Sequence, residues 1–298
     1  MKNRIALIIP YFGEWPFWID LYMHSCKFNK EVDFFFYTDC GIPQIADGVA
    51  NLHFISIRFA DYCKKVSDKL GIVFSPENPY KLCDLKPFYG YIHEDLLEED
   101  RFGFWGFGDV DLIWGDIKAF CKDDILDHHD VFSTHADRVS GHFAVFRNND
   151  YYRKLAFSIS NWKAKLESNK SFALDEIDLS RLLYGEKIKL LWKMHNKFFM
   201  GLPFGDEWAM HCRFVELANK LFCPKQLFFV EQNTTPWPGE ISRNNVDFKY
   251  ENGHVYNVLK GQEIMYLHFL CLKKRWTKDN FFLEKGCDRV RITVEGIY

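Results

Sequence analysis

Apolar residues in the first third of the chain fall in short unbroken runs separated by helical stripes. Ile5-Ala6-Leu7-Ile8-Ile9 is branched and closed by Pro10, which predicts a buried strand. Trp15 to Phe28 has helical spacing. Asp33 to Thr38, with Phe34-Phe35-Phe36-Tyr37 at its centre, predicts a second buried strand, ended by Asp39-Cys40-Gly41. Leu52 to Ile57 alternates as a third strand, and Phe59 to Leu70 reads as a helix. Tyr80 to Leu97 is amphipathic and runs into the acidic cluster Glu98-Glu99-Asp100; Arg101 to Phe107 then predicts a fourth strand.

This alternation predicts an α/β fold with a mostly parallel central sheet and helices on both faces. The second half is more mixed. Asp130–Thr134, Phe143–Arg147, Leu227–Glu231 and Glu263–Phe269 read as strands. Tyr151–Ser168, Asp175–Leu183 and Glu207–Leu221 read as helices. Asn233-Thr234-Thr235-Pro236-Trp237-Pro238-Gly239 reads as a turn-rich loop. With no repeat, low-complexity tract or clear linker, residues 1–298 are expected to form one domain. Its nucleotide-binding half is expected at about 1–120 and its acceptor-side half at about 121–298.

Ligands of such sheets bind beyond the carboxyl ends of the strands. Three of those ends carry suggestive chemistry: Pro10-Tyr11-Phe12, Thr38-Asp39 and Asp109-Val110-Asp111. The last is preceded by the aromatic, glycine-spaced run Phe102 to Gly108 and followed by Leu112-Ile113-Trp114. In an extended segment residues two apart point the same way, so Asp109 and Asp111 would present paired carboxylates. Carboxylates flanked by apolar sequence need a counter-charge. Their oxygens suit Mg²⁺ or Mn²⁺, which in turn suit phosphate.

Composition narrows the partners. A net charge of −3 and the lack of a basic stripe argue against nucleic acid. The odd number of cysteines (nine), without a C-x-x-C pair, argues against structural zinc and for reduced thiols in a cytoplasmic protein. No run has the length of a membrane span, and Ile5–Ile9 is too short for a signal peptide; peripheral membrane association stays open.

Phe107 to Asp116 resembles the D-x-D region of GT-A-fold glycosyltransferases. The segment Tyr266-Leu267-His268-Phe269-Leu270-Cys271-Leu272-Lys273-Lys274-Arg275-Trp276 resembles the His-Phe…Lys-Pro-Trp ending of glycosyltransferase family 8 and related retaining enzymes, with Lys274-Arg275 where Lys-Pro is usual. Over its whole length the chain also resembles bacterial and viral proteins of uncharacterised function, often found with surface-polysaccharide genes. That likeness runs through Pro10–Gly13, Tyr37–Cys40, Pro79–Pro87, Gly141-His142-Phe143 and Leu174-Asp175-Glu176 to His268.

The resemblance implies a metal-dependent transferase using a nucleotide-diphosphate sugar and a glycan or lipid-linked glycan acceptor, with retention slightly favoured over inversion. It implies Asp111 and His268 as ligands to Mn²⁺ or Mg²⁺, Asp109 on the metal or the ribose, and Lys273 or Lys274 on the diphosphate. Pro10, Tyr11 and Phe12 would cradle the base and Thr38 and Asp39 would hydrogen-bond it. Lys81, Asp84 or Lys86 would touch base, ribose or phosphate. Asp175 or Glu176 would meet the acceptor hydroxyl, with Asp206-Glu207 as the rival pair. His142 and Trp237 are acceptor-side candidates, Trp237 by stacking on a sugar. A nucleotidyl- or phosphotransferase, or a non-catalytic sugar-binding protein, are the alternative functions.

Overall fold

In the computed structural model the chain takes a mixed α/β fold with a mostly parallel sheet flanked by helices, the class that the alternation predicts. The structure describes residues 3–135, 138–183, 227–229, 234–281 and 288–298. Its strands in chain order are β1 (Ile5–Tyr11), β2 (Val32–Thr38), β3 (Leu52–Ser56), β4 (Phe104–Gly108), β5 (Leu112–Trp114), β6 (Val131–Ser133), β7 (Phe143–Arg147), β8 (Leu227–Phe229), β9 (Asp247–Glu251), β10 (His254–Asn257), β11 (Gln262–Ile264), β12 (Tyr266–His268) and β13 (Arg289–Thr293). Helix α1 (Ile19–Cys26) follows β1, and α2 (Phe59–Leu70) follows β3.

The chain divides into two compact units, each drawn from separated stretches. One comprises the described parts of Arg4–Tyr62, Gly108–Asp123 and Gln232–Tyr298. The other comprises those of Met1–Asn3, Cys63–Phe107 and Asp124–Glu231.

In the first unit β1, β2 and β3 are parallel, with Tyr11 beside Thr38 and Thr38 beside Ser56 at their carboxyl ends. The run of buried residues along β1 and β2 is what a strand covered on both faces requires. One charge lies inside it. Asp33 is 1% exposed and is held by Arg4 and by His53, whose Nε2 lies 2.6 Å from Oδ1. Burial raises the Asp33 pKa, and the bonds from His53 and Arg4 outweigh it, leaving the carboxyl below its ordinary value.

In the same unit β5 pairs antiparallel with β12, and a four-stranded antiparallel sheet runs β11-β10-β9-β13. Polar side chains tie α1 to β5. Ser25 Oγ accepts from the Trp114 amide at 3.1 Å. The Asn29 side chain donates to the Gly115 carbonyl at 2.9 Å and accepts from the Ile117 amide at 2.9 Å. A core of Ile113, Phe248, Tyr250, Leu267, Phe269 and Ile292 fills the space beneath.

In the second unit β4, β7, β6 and β8 follow in that order, β6 antiparallel to β7 and parallel to β8. The predicted amphipathic helix over Tyr80–Leu97 is instead a 3₁₀ segment, Pro79–Phe88, followed by one α turn, Tyr89–Ile92. Pro87 supplies no amide to an α ladder, and the charged residues Lys81, Asp84 and Lys86 are buried rather than arrayed on a wet face. The predicted helix over Tyr151–Ser168 divides into Asp150–Lys154, a 3₁₀ turn and Trp162–Glu167, broken where Asn161 adopts φ 55°. The helix expected from Asp175 opens with a π turn over Leu174–Asp178. The helix expected over Glu207–Leu221 lies outside the described residues, as do Asp206 and Glu207.

Two further differences bear on the site. The helix expected from Trp15 starts only at Ile19, beyond Pro16, which leaves Trp15 and Trp18 to other contacts. The single strand expected over Glu263–Phe269 is two strands that part at Met265, β11 joining β10 and β12 joining β5. β9 and β10 were not anticipated. Their alternating burial and the Asn252-Gly253 turn, with φ of 50° and 83°, form a two-residue hairpin that the sequence does signal.

Two predictions follow the packing. At Gly115 an added Cβ would lie 2.8 Å from the Ile264 carbonyl oxygen and 3.1 Å from that of Met265. Gly115→Ala is therefore expected to cost about 1–3 kcal/mol in denaturant unfolding by forcing β5 from β12; unchanged stability would show that the approach tolerates a methyl. Asp33 has a depressed folded pKa, so its stabilisation is complete above the unfolded value of about 3.9 and is lost as pH falls through the folded value. The melting-temperature gap between wild type and Asp33→Asn should be widest near neutrality and shrink below about pH 4. A gap constant down to pH 2 would contradict this.

Candidate metal centre

The Asp-x-Asp segment is a bend between β4 and β5, not a continuous strand. Its carboxylates nonetheless converge, because backbone and side chains fix the bend. Trp18 Nε1 donates to the Val110 carbonyl at 3.0 Å, and the Phe269 amide donates to the Asp111 carbonyl at 3.1 Å. The register of β5 on β12 sets His268 opposite Leu112, the residue after Asp111. One ligand atom from each of Asp109, Asp111 and His268 lies within 4.8 Å of the other two.

Asp111 and His268 are each 5% exposed, whereas Asp109 is half-buried. His268 Nε2 lies 3.5 Å from Asp111 Oδ2, and Nδ1 lies 3.2 Å from the hydroxyl of Thr235. Lys273, 162 residues from Asp111 in sequence, places Nζ 2.6 Å from Oδ2. Burial pushes the Asp111 pKa up, but His268 and Lys273 together outweigh it and hold the carboxyl well below the usual carboxylate range. Asp111 is thus a charged, desolvated oxygen donor. Two carboxylates and an imidazole suit Mn²⁺, and Mg²⁺ through the oxygens, so the residues fit such an ion.

Of the two candidate lysines, Lys273 faces this cluster, while Lys274 is exposed and lines a surface cavity with Cys271 and Arg275. Lys273 Nζ also lies 5.9 Å from the centroid of the Trp18 ring. Trp18 and Thr235 touch the centre and were not anticipated as site residues. Trp18 sits within a helically spaced run that masks it. Thr235 sits in the turn-rich loop, where a hydroxyl residue carries no distinguishing pattern.

The strand ends expected to cradle a base lie in the same unit. The Tyr11 ring stacks on Trp15, with centroids 5.0 Å apart and planes 11° apart. Burial, Cys40 and Asp111 together raise the Tyr11 pKa. Phe12 is buried against Phe59 and Tyr62. Asp39 Oδ1 accepts from the Gly13 amide at 2.8 Å, and Thr38 Oγ1 from the Cys40 amide at 3.0 Å, which closes the turn after β2 onto the turn after β1. Pro10 pairs in register with Tyr37 inside the sheet. Trp237 stands at the N-cap of the short helix Pro238–Ser242 and is 49% exposed.

The remaining candidates lie in the other unit. Lys81 Nζ is buried and donates to Asp84 at 2.9 Å and to the Lys165 carbonyl at 2.7 Å; Asp84 in turn accepts from the Phe172 and Leu174 amides. These two residues staple the segment that leads to Asp175. Lys86, Asp175 and Glu176 gather around Gly141. Lys86 Nζ donates to the Gly141 carbonyl at 2.7 Å and lies 3.4 Å from Asp175 Oδ2, and Glu176 Oε1 accepts from the Gly141 amide at 3.3 Å. A Cβ at Gly141 would lie within 2.9 Å of both acidic side chains, so a larger residue there would push Asp175 and Glu176 aside. His142 is buried beside the ring of His135, with centroids 5.2 Å apart.

Among the described residues, no helix is long and apolar enough to cross a membrane. Several solved structures are similar to this chain. One is the galactosyltransferase LgtC in complex with donor and acceptor sugar analogues, with a TM-score of 0.38 and 9% identity over 89% of this chain and 87% of that one. Mouse xyloside xylosyltransferase 1 in its apo form has a TM-score of 0.36 and 8% identity over 91% of this chain and 98% of its own. The glycosyltransferase GlyE of Streptococcus pneumoniae TIGR4 has a TM-score of 0.34 and 12% identity over 80% and 56%. At these scores the likeness gives no residue-level correspondence. No curated protein sequence matches the chain significantly. Residues 7–298 match the family of unknown function DUF6625, and the chain belongs to that family.

Proposed function

We propose that this protein is a metal-dependent glycosyltransferase that transfers a sugar from a nucleotide-diphosphate donor to a glycan acceptor. The observation that carries the reading is the convergence of Asp109, Asp111 and His268, with Lys273 at the same carboxylate, from segments the sequence keeps far apart. The reading joins that geometry to the resemblance of Phe107–Asp116 and Tyr266–Trp276 to a D-x-D region and a His-Phe…Lys ending.

Asp111 and His268 would hold Mn²⁺ or Mg²⁺, and Asp109, the more exposed carboxylate, would complete the shell or bind the ribose. A bound ion would supply Lewis-acid stabilisation of the charge that develops on the leaving diphosphate. Lys273 contributes a second positive charge beside Asp111 that is available to a phosphate oxygen. Tyr11 and Trp15 form a stacked aromatic pair within the same unit, fit to pack against a nucleobase. Asp175 and Glu176 keep the acceptor-side role that the resemblance implies. The His-Phe…Lys ending tilts the stereochemistry toward retention.

The test is turnover of candidate sugar nucleotides with and without Mn²⁺, followed by product analysis. Free nucleoside diphosphate, formed only with metal, is the expected outcome. Cleavage at phosphorus would point instead to a nucleotidyl- or phosphotransferase, and glycan binding without turnover to a sugar-binding protein. Asp111→Asn should lower the metal-dependent rate by at least about a hundredfold with the fold intact by circular dichroism. Full activity in that variant would remove Asp111 from the metal assignment.

A further inference from the structure

We propose that Thr235 is a positioning residue, holding the His268 ring in the orientation that turns Nε2 to the metal centre; the inference rests on the metal-centre reading above. The two ring nitrogens of His268 face opposite partners: Nε2 looks toward Asp111 Oδ2 at 3.5 Å, and Nδ1 meets Thr235 Oγ1 at 3.2 Å. Both residues are more than nine-tenths buried.

An imidazole binds a metal through an unprotonated nitrogen. If Nε2 is that nitrogen, Nδ1 must carry the proton, and a buried N–H needs an acceptor. The Thr235 hydroxyl stands where that acceptor is required. The loop is placed to keep it there. The His268 amide donates to the Thr234 carbonyl at 2.7 Å, fastening the loop to the end of β12. Pro236 biases Thr235 toward an extended backbone, and its β-branched side chain has few rotamers to lose. An outer partner of this kind orients a metal-binding histidine and raises its basicity.

The experiment compares wild type, Thr235→Val and Thr235→Ser as the full chain. Valine keeps the shape and removes the hydroxyl; serine keeps the hydroxyl. Mn²⁺ affinity by calorimetry should fall roughly 10- to 100-fold in Thr235→Val and return to within a few-fold of wild type in Thr235→Ser. The second readout needs no metal: NOEs from the His268 ring protons in metal-free protein should report one ring orientation in wild type and Thr235→Ser, and more than one in Thr235→Val. Wild-type affinity in Thr235→Val with an unchanged ring spectrum would overturn the inference. So would a His268 ring that samples several orientations in the wild type, a result that holds even if the valine variant fails to fold. A wild type without Mn²⁺ affinity, but with a His268 ring held in one orientation that Thr235→Val loses, would overturn the metal reading and leave the positioning in place.

Discussion

The candidate site depends on one backbone pairing, the three-residue ladder of β5 on β12. It sets Leu112 opposite His268, and the Phe269 amide extends it by binding the carbonyl of Asp111 itself. A slip of one residue would turn His268 to the other face of the strand. Several short contacts prevent that slip. Gly115 lets the two backbones meet, and its amide donates to Met265 at 2.8 Å. Asn29 and Ser25 hold the far side of β5, and the apolar core around Ile113 and Leu267 fixes which face is buried.

The same pairing explains how a charged carboxylate persists at 5% exposure. Asp111 is taken from water with two partners already in place, Lys273 from the turn after β12 and His268 from its end. Losing either would leave a buried charge short of compensation, which costs far more than a surface pair returns. In the other unit, Lys81 and Asp84 use an equivalent arrangement for a different end. Their charges are spent on each other and on backbone groups of the segment before Asp175, so their burial has a structural explanation of its own.

Much of this was legible from local pattern. The short branched runs at β1 and β2 gave strands because a doubly covered strand has no polar face to display. The D-x-D pair stood out by residue type and spacing at a strand end, and His268 through the resemblance of its segment to a His-Phe…Lys ending. Other readings failed where a single residue overrode periodicity. Pro87 and Asn161 broke stretches whose apolar spacing looked helical, and Met265 divided a strand between two sheets. The Asn252-Gly253 hairpin is signalled by its turn residues, both of which take positive φ.

The sequence by itself supplied the candidate donors, two carboxylates one residue apart, an imidazole and a nearby pair of lysines, in an alternating α/β order. Local chemistry is enough for that, because strand ends, turns and ligand types are properties of neighbouring residues. Only the tertiary structure decided that Lys273 rather than Lys274 faces Asp111, that Trp18 grips the bend, and that Thr235 meets the far nitrogen of His268. These depend on strand register and on which side of a turn each side chain leaves, and both are set by contacts between residues far apart in the chain.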